Sequence, residues 1–388
     1  MKIVYLLPGG LFNPGGMERV IISKANYLAE NSGYEVSIVT TEQLGRPVFY
    51  PVSDKVHLHH LDVGIYVNFG KENYAQKVIS RFLKTRDYRK ALEKLLSEIK
   101  PDITISTLGI DIDFLDKIHD GSIHLGELHF PGNYRHIMAK KMYTWFFPIW
   151  VEKVRTRLLR EKCKKLTRFI VLTDEEKMNW KGVDHVELIP NALSYFPEEI
   201  SACSSKKAIA VGRLVYEKGF DQLIESWKIV HAKHPDWSLS IFGQGDQKDS
   251  LNQQINQHGL SSVIEIHEPV KDIYSRFLEH SMMLFPSRCL DALPMVLIEA
   301  MSCGLPLVAF DAPCGPKDII TDGKNGFLVP SGNIERFAEK VCLLIESEEL
   351  RQTMGKSAWQ MSFDYHEEKI MNQWIQLFNE VTRFRTKS

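Results

Sequence analysis

The stretch "KAIAVGRLVYEKGFDQLIESWKIVHAKHPDWSLSIFGQG", residues 207–245, holds one complete cycle of the pattern that decides the fold. An apolar run, KAIAV, is followed by a stretch of helical period, GFDQLIESWKIVHAKH, and then by a second apolar run, SLSIF. Short apolar runs that alternate with helical stretches are typical of parallel β-α-β units, because the helix carries the chain back along the sheet. The stretch therefore predicts two parallel strands joined by a helix.

The same alternation runs through most of the 388 residues. In the N-terminal part it includes KIVYLL, GMERVIISKANYLAENS, EVSIVTT and ALEKLLSEIKPDITIST, and it restarts after LIPNALSYFPEE, near Pro190. Because this length exceeds what one hydrophobic core usually supports, we predict two doubly wound α/β domains, residues 1–190 and 191–365. The tail, residues 366–388, has an amphipathic helical pattern and is predicted to pack back on the N-terminal domain.

Composition narrows the class of protein. A formal net charge of −1 and a sequence pI of about 6.9 argue against nucleic acid as a partner. The six cysteines are scattered, with neither zinc-site pairs nor the density of a secreted disulfide scaffold, which favours a cytoplasmic protein. The longest aromatic and apolar run, Met142 to Val151, is about half of what spans a bilayer, so no transmembrane helix is predicted.

Glycines follow two of the predicted strands, at the ends where ligands bind in open α/β sheets. Gly15 and Gly16 stand before a helical stretch, where they allow positive φ and where the helix amides favour an anion. A tight turn explains them equally well, and they do not form the G-x-G-x-x-G motif of dinucleotide redox enzymes. Gly243 follows another strand, and a turn and a ligand loop are equally good explanations of it.

Two cations, Arg213 and Lys218, lie in one predicted strand-to-helix loop. A guanidinium fork and an ammonium group at such a place can clamp a diphosphate. A solvated surface pair is the alternative, and it is the commoner fate of loop lysines. Arg213 follows an apolar strand directly, which favours the diphosphate interpretation.

Two carboxylates, Asp291 and Glu299, flank a proline turn. The apolar pattern predicts a helix that begins near Pro294 and ends at Gly304, with Glu299 inside it among apolar neighbours. A buried carboxylate needs partners, which a ribose diol or a salt bridge would supply. The amides of Leu293 to Val296, near the helix start, could face an anionic or hydroxyl-rich ligand.

At these residues the chain resembles the family-4 retaining glycosyltransferases of the GT-B fold. The matching pieces, in order, are GGMERV, VLTDEEK, IPNAL, GRLVYEKGFDQLI, IFGQGD, SRCLDALPMVLIEAMSCGLPLVAFD and GPKDIITDGKNGFLVP. The resemblance implies two Rossmann-like domains facing a cleft, and transfer of a sugar from a nucleotide sugar, with UDP as the expected carrier. It further implies a glycan or lipid-linked acceptor, a role in bacterial surface polysaccharide biosynthesis, and neither a cofactor nor a metal.

The resemblance also implies roles for individual residues. Arg213 and Lys218 would neutralise the diphosphate, Glu299 would bind the ribose hydroxyls, and Asp291 would contact the donor sugar. His129, in GELHFPG, matches a histidine that the family often places in the acceptor-side domain, near the reactive end of the donor sugar. Further donor contacts are implied for Gly15, Gly16, Gly243, Val270, Pro294, Met295 and Val296.

The chain departs from the family pattern at three positions. Asp291 replaces the first of two glutamates, and Ala292 replaces the glycine that usually follows it. Aspartate is one methylene shorter, so either the loop moves inward or the donor-sugar contact changes. Glu268 stands where glycine is common, which bears on recognition of the base. The motif DID, Asp111 to Asp113, is interpreted as a loop or helix cap and not as a metal motif.

Cations are concentrated from Arg135 to Arg168, and aromatic residues are interleaved with them. This pattern suits an anionic membrane surface, which would serve a lipid-linked acceptor, and would make the protein peripheral on the inner face of the membrane. A buried aromatic cluster beside a solvated basic helix is the alternative. The aromatic residues concerned are Trp145, Phe146, Phe147 and Trp150.

Two other functions are compatible with the same fold. A GT-B sugar-nucleotide epimerase would bind the same donor but would need no acceptor, and its motifs match less well. A non-catalytic partner subunit would explain the changes at Asp291 and Ala292, but retention of Arg213, Lys218 and Glu299 argues against it.

Overall fold

The computed structural model of the chain describes residues 1–13, 15–65, 74–131, 147–288, 291–313 and 315–385. The chain forms two compact units. The first unit comprises Met1–Leu172, Glu176–Pro190 and Ile370–Ser388, and the second unit comprises Thr173–Glu175 and Asn191–Lys369.

A parallel sheet forms the centre of the first unit. In chain order its strands are β1 (Lys2–Leu7), β2 (Glu35–Thr40), β3 (Val56–His60), β4 (Ile103–Ser106), β5 (Ile123–Glu127), β6 (Arg168–Val171) and β7 (Val186–Leu188). They lie in the order β3-β2-β1-β4-β5-β6-β7, and all neighbours are parallel. Every residue of β1 after Lys2 is buried, as expected of a strand covered on both faces of the sheet.

Helices alternate with these strands. They are α1 (Gly16–Asn31), α2 (Tyr74–Ile99), α3 (Phe147–Cys163) and α4 (Asp174–Asn179), with short 3₁₀ helices at Ile110–Asp113 and Leu115–Lys117. The largest side chains of the core on one side of the sheet are Tyr88, Phe169 and Trp180. The Phe169 and Trp180 rings meet edge to face, with their centroids 4.6 Å apart.

The second unit repeats this architecture with a smaller parallel sheet. Its strands are β8 (Lys207–Val211), β9 (Ser238–Phe242), β10 (Ile264–His267), β11 (Met282–Phe285), β12 (Leu307–Asp311) and β13 (Gly326–Pro330). They lie in the order β10-β9-β8-β11-β12-β13. All neighbours are again parallel, so the carboxyl ends of all these strands share one edge of the sheet.

The helices of the second unit cover this sheet and enclose a core around Trp227, Phe310 and Phe337. They are α5 (Phe220–Lys233), α6 (Lys248–Gln257), α7 (Ile273–Leu278), α8 (Met295–Ser302), α9 (Pro316–Ile319), α10 (Ile334–Glu346) and α11 (Glu348–Ser362), with 3₁₀ helices at Tyr216–Lys218 and Phe363–Tyr365.

The tail forms the predicted amphipathic helix, α12 (Glu367–Arg385). Its buried face carries Trp374, Phe378 and Val381. Residues 370–388 belong to the first unit, where the Phe378 ring lies 6.5 Å from that of Tyr34.

The prediction of two doubly wound α/β sheets is confirmed. The sequence did not reveal β3, because this edge strand, VHLHH, buries only Val56 and lacks an apolar run. No helix in the described ranges is long and apolar enough to cross a membrane. The cysteines that the structure describes are buried free thiols, namely Cys163, Cys203, Cys303 and Cys342.

Candidate active site

Four loops of the second unit carry most of the predicted donor-binding residues. Arg213 follows β8, Gly243 follows β9, Val270 follows β10, and Asp291 follows β11. These four strands are neighbours in the sheet, so their loops lie side by side at its carboxyl edge. Arg213 is exposed there, as a cation that receives a charged ligand must be.

Lys218 and Asp291 form an ion pair at this edge. Their side chains are 15% and 18% exposed, so both remain within reach of a ligand. The Ser287 hydroxyl donates to Asp291 Oδ2 over 2.8 Å. The resemblance assigns Lys218 to the diphosphate and Asp291 to the sugar, and here the two side chains bind each other. A phosphate that competed for Lys218 would release the carboxylate of Asp291.

Arg288 ties the loops of Lys218 and Asp291 together. Its guanidinium donates to both carboxylate oxygens of Asp221, over 2.7 and 2.5 Å, and to the carbonyl of Tyr216 over 2.7 Å. Its backbone amide donates to the carbonyl of Glu217 over 2.8 Å. Such a bidentate pair fixes geometry as well as charge, so Arg288 holds the turn that carries Lys218.

Glu299 lies inside α8, as predicted, and is only 4% exposed. Pro294 is the N-cap of this helix, and Gly304 follows its end with φ of 74°. Met295 and Val296 are its first residues, and the first amides of a helix have no partner within it. A buried carboxylate and a helix start are thus present in one short segment.

Close packing within the chain accounts for Gly243. A Cβ atom at this position would lie 1.9 Å from the carbonyl oxygen of Gly212, in the loop after β8. The close approach suggested by the sequence is therefore made by the neighbouring loop. At Glu268, one of the departures from the family pattern, the carboxylate pairs with Lys248 of α6.

In the first unit, Gly15 does not use the positive φ that a glycine allows, and Gly16 is helical. Gly15 is the N-cap of α1 with φ of −79°, and Gly16, the first helical residue, has open space around its Cβ position. The Glu18 carboxylate folds back onto Gly15, and a Cβ there would lie 1.9 Å from Glu18 Oε2. A carboxylate in the first turn is stabilised by the helix N-terminus, so Glu18 lies where a ligand anion was predicted.

His129 follows β5 and turns inward against Glu127, the last residue of that strand. The His129 Nε2 atom lies 3.2 Å from Glu127 Oε1, and the two side chains are 3% and 1% exposed. The same Oε1 pairs with the ammonium of Lys24, which α1 brings in and which is 3% exposed. The Lys24 ammonium and the His129 imidazole therefore converge on one buried carboxylate.

These surroundings decide the charge of each group. Burial alone would raise the pKa of Glu127, but the electrostatic effects of Lys24 and His129, with the hydrogen bond from Lys24, outweigh it and hold that pKa at about 2. Burial lowers the pKa of Lys24, and Glu127 opposes this effect. Burial, with a smaller contribution from Glu127, raises the pKa of Tyr5 well above its usual range. Glu127 is thus a carboxylate and Tyr5 a neutral phenol.

Two aromatic rings surround the Lys24 ammonium. Its Nζ atom lies 4.4 Å from the ring centroid of Trp374 in α12 and 5.7 Å from that of Tyr5 in β1. The face of an aromatic ring attracts a cation, most strongly where water is excluded. The rings therefore help to keep the ammonium charged in a buried place.

Comparison with known proteins identifies the chain. The family model described as "Glycosyl transferases group 1" matches residues 196–361. An uncharacterized glycosyltransferase of Haemophilus influenzae is 30% identical over 386 residues, which cover 96% of this chain and 99% of that protein. The chain belongs to the group 1 glycosyltransferases.

Other comparisons agree with this family. The amylovoran biosynthesis glycosyltransferase AmsD of Erwinia amylovora is 30% identical to this glycosyltransferase over 391 residues, 98% of this chain and all of that protein. A crystal structure of TarM of S. aureus, in a complex that includes UDP, matches with a TM-score of 0.74 and 17% identity over 97% of this chain and 99% of that one. The GT-B fold predicted from the sequence is thereby confirmed.

Three residues near the candidate site of this glycosyltransferase were not predicted from its sequence, namely Lys24, Glu127 and Arg288. Lys24 lies on the apolar face of α1, between Ile21 and Leu28, and a lysine at such a position indicates a buried charge. Glu127 ends a strand in which His124 is the one other polar residue, which is a comparable indication. No sequence pattern singles out Arg288, because its role depends on a contact between two loops that are far apart in the chain.

The DID motif of this glycosyltransferase lies in a short 3₁₀ helix. Ile110–Asp113 forms a 3₁₀ helix, and the buried Asp111 accepts a hydrogen bond from the Ser106 hydroxyl. Burial, opposed by that hydrogen bond, raises the pKa of Asp111 to about 6. In the described part of the chain, no three His, Cys, Asp or Glu side chains are grouped so that they could hold a metal ion.

Replacement of Gly219 by alanine should destabilise the enzyme more than the same change at Gly259. Both glycines have φ of 68°, which costs an alanine about 1–2 kcal/mol. A Cβ at Gly219 would also lie 2.1 Å from the carbonyl oxygen of Pro286, whereas Gly259 has no atom within 4 Å. The clash should add roughly 1–3 kcal/mol and displace the Lys218 turn. Thermal unfolding of the two variants makes the comparison, and equal losses would show that the loops do not approach as described.

Proposed function

We propose that this enzyme transfers a sugar from a UDP-linked donor to a glycan or lipid-linked acceptor, in the assembly of a bacterial surface polysaccharide. The observation that carries the proposal is the row of loops at the carboxyl ends of four adjacent strands, with Arg213 and Lys218 on one edge and the buried Glu299 in α8, the helix that follows the β11 loop. Its similarity to AmsD, which is named for amylovoran biosynthesis, supports the acceptor class. The UDP in the TarM complex supports the donor.

In this proposal the second unit binds the donor. Arg213 and Lys218 neutralise the diphosphate, and Glu299 accepts hydrogen bonds from the ribose hydroxyls. Asp291, released from Lys218, accepts a hydrogen bond from the donor sugar. The remaining contacts come from the base-side loop at Val270 and from the amides of Met295 and Val296 at the start of α8.

We further propose that transfer retains the anomeric configuration, as in family 4. The bond between C1 of the sugar and the β-phosphate oxygen breaks, and its electron pair stays on that oxygen. Arg213 and Lys218 stabilise the developing negative charge, which is the usual largest contribution in preorganised sites. The acceptor oxygen forms the new bond on the same face, and its proton passes to the leaving phosphate. His129 of the first unit acts beside the reacting sugar.

Thermal unfolding in the presence of UDP-, GDP- and ADP-sugars and their free nucleotides tests the donor. A ligand at a hundred times its dissociation constant stabilises the folded state by about 2.7 kcal/mol, so a selective shift with one UDP-sugar is expected. That donor is then incubated with polysaccharide repeat-unit acceptors, and UDP release and product anomeric configuration are followed by NMR spectroscopy.

Each alternative function has its own outcome in this experiment. Conversion of the donor sugar without an acceptor would identify an epimerase. No shift with any sugar nucleotide at millimolar concentration would identify a non-catalytic subunit. A product of inverted configuration would leave transfer intact and refute the retaining mechanism.

We also propose that the first unit binds an anionic membrane surface. Of the predicted basic stretch, residues 132–146 lie outside the described residues, as do the side chains of Phe147 and Trp150. In α3, Leu158 is exposed and Lys153 and Arg157 flank it. Lys162 of α3 and Lys165, which follows the helix, form ion pairs with Asp113 and Asp116. In α2, Phe82 is 70% exposed beside exposed Ile79 and Arg81.

Flotation with phosphatidylglycerol vesicles tests this surface. The enzyme should float with the vesicles, and Phe82→Asp should weaken this, because it places a negative charge in the apolar face of α2. Met178→Asp is the control, since Met178 is an apolar residue of α4 that is 59% exposed. No flotation of the unsubstituted enzyme, or equal losses in both variants, would refute the proposal.

A further inference from the structure

Glu127 lies between a buried ammonium group and the candidate catalytic histidine. Its Oε1 atom contacts both the Lys24 ammonium and, at 3.2 Å, His129 Nε2. All three side chains are at least 97% buried, so water does not compete for these contacts. A buried ion pair of this kind is weak evidence of a stabilising role, because well-packed apolar side chains would stabilise the fold equally well. The Lys24–Glu127 pair therefore calls for a role other than stability.

The charge on Glu127 decides which nitrogen of His129 carries a proton. A carboxylate accepts hydrogen bonds and donates none, so a ring nitrogen that faces it is favoured in its N–H form. Nε2 is the nitrogen that faces Glu127, and with its proton there a neutral imidazole has Nδ1 as its basic nitrogen. The 3.2 Å contact does not have the angle of an aligned hydrogen bond, and it therefore acts through charge.

Other groups around the histidine reinforce this arrangement. Glu18 of α1 interacts electrostatically with His129, and Tyr5 of β1 interacts with Glu127 as a neutral phenol. Lys24, enclosed by the Tyr5 and Trp374 rings, is too deep to bind a ligand and has Glu127 as its anionic partner. The ammonium therefore keeps Glu127 ionised and in place.

We propose that Glu127, held by Lys24, is a positioning residue for His129: it fixes the orientation of the imidazole and keeps a proton on Nε2, so that Nδ1 is the basic nitrogen. This inference rests on the proposed function, in which His129 acts beside the reacting sugar. Neither Lys24 nor Glu127 touches the substrates in this scheme.

NMR spectroscopy of the enzyme labelled with ¹⁵N-histidine tests the proposal without an activity measurement. Two-bond ¹⁵N–¹H correlations distinguish the two tautomers, and His129→Asn identifies the His129 signals among those of the 14 histidines. The unsubstituted enzyme should show the proton on Nε2 of His129. A proton on Nδ1 alone would overturn the proposal, even if none of the variants below folded.

Glu127→Gln removes the negative charge and keeps the shape. We expect loss of the fixed tautomer and a fall in kcat of about 10- to 100-fold with KM for the donor unchanged, the usual effect of removing the partner behind a functional histidine. Glu176→Gln is the matched control, because Glu176 is an equally buried carboxylate of the first unit that accepts from the Trp180 indole over 3.0 Å. That control should leave the His129 signals and kcat unchanged.

A double variant separates positioning from stability. Lys24→Met with Glu127→Gln removes both buried charges, so thermal unfolding should return toward that of the unsubstituted enzyme while kcat and the tautomer remain altered. Recovery of kcat together with stability would show that the pair is merely structural.

His129→Asn separates this inference from the proposed function. If that variant keeps full kcat, the catalytic role of His129 is wrong, and the NMR result alone decides whether Glu127 sets the tautomer. If it loses activity while Glu127→Gln changes neither kcat nor tautomer, the proposed function stands and the positioning role is wrong.

Discussion

Arg213→Ala is expected to lower kcat by roughly 100-fold, which corresponds to about 3 kcal/mol of lost transition-state stabilisation. The guanidinium is exposed at the carboxyl end of β8, so its removal leaves no cavity in the core. In the proposed reaction, negative charge accumulates on the β-phosphate oxygen as the bond to the sugar breaks. The loss should therefore persist at saturating donor and appear in kcat as well as in KM.

Steady-state kinetics with the donor identified by thermal unfolding measures this effect. Arg336→Ala is the control, because Arg336 is an exposed arginine of the same unit that pairs with Glu339 on α10. Both variants should unfold at the temperature of the unsubstituted enzyme. Near-normal turnover of a folded Arg213→Ala variant would remove Arg213 from the mechanism, and with it the assignment of the β8 loop to the diphosphate.

Lys24→Met is expected to destabilise the first unit by about 3–5 kcal/mol, because it leaves the carboxylate of Glu127 buried without its cation. Lys165→Met makes the same substitution in the exposed pair with Asp116, and should cost less than about 1 kcal/mol. Amide hydrogen exchange in β5 reports the local free energy of unfolding in each variant. Similar protection in the two variants would mean that Glu127 has adequate partners without Lys24.

The contribution of the Lys24–Glu127 pair to stability should change with pH in a defined direction. The folded pKa of Glu127 is about 2, below the value near 4.3 of an unfolded glutamate. Its contribution to stability is thus present above about pH 4.3 and is lost as the pH falls toward 2. In the Lys24→Met variant, this part of the acid dependence of β5 exchange should shrink.

The fold was predictable wherever a strand is buried on both faces. The runs KAIAV and SLSIF became β8 and β9, because a parallel strand that is covered on both faces is mostly apolar. The place of Arg213 in a loop between a strand and a helix followed from these runs alone. β3 could not be found in this way, because an edge strand with one buried residue leaves no comparable pattern.

The pairing of side chains within the site was not predictable to the same extent. Lys218 and Asp291 are 73 residues apart, and they meet because Gly219 lets two loops approach and Arg288 joins them. Lys24 and Glu127 are 103 residues apart and meet through the packing of α1 on the sheet. Loop contacts and helix packing of this kind depend on tertiary structure, whereas period and composition report only on local structure.

The return of α12 to the first unit has a consequence for the order of events during synthesis. Trp374 packs over Lys24, yet it emerges from the ribosome only after the whole span Asn191–Lys369 that builds the second unit. All residues of the second unit therefore leave the ribosome before this cover does. The first unit, which contains β1, completes its core only when α12 is available. Until then the Trp374 ring does not shield the Lys24 ammonium from water. A released chain that ends before residue 370 should accordingly hold a finished second unit and an unfinished first one.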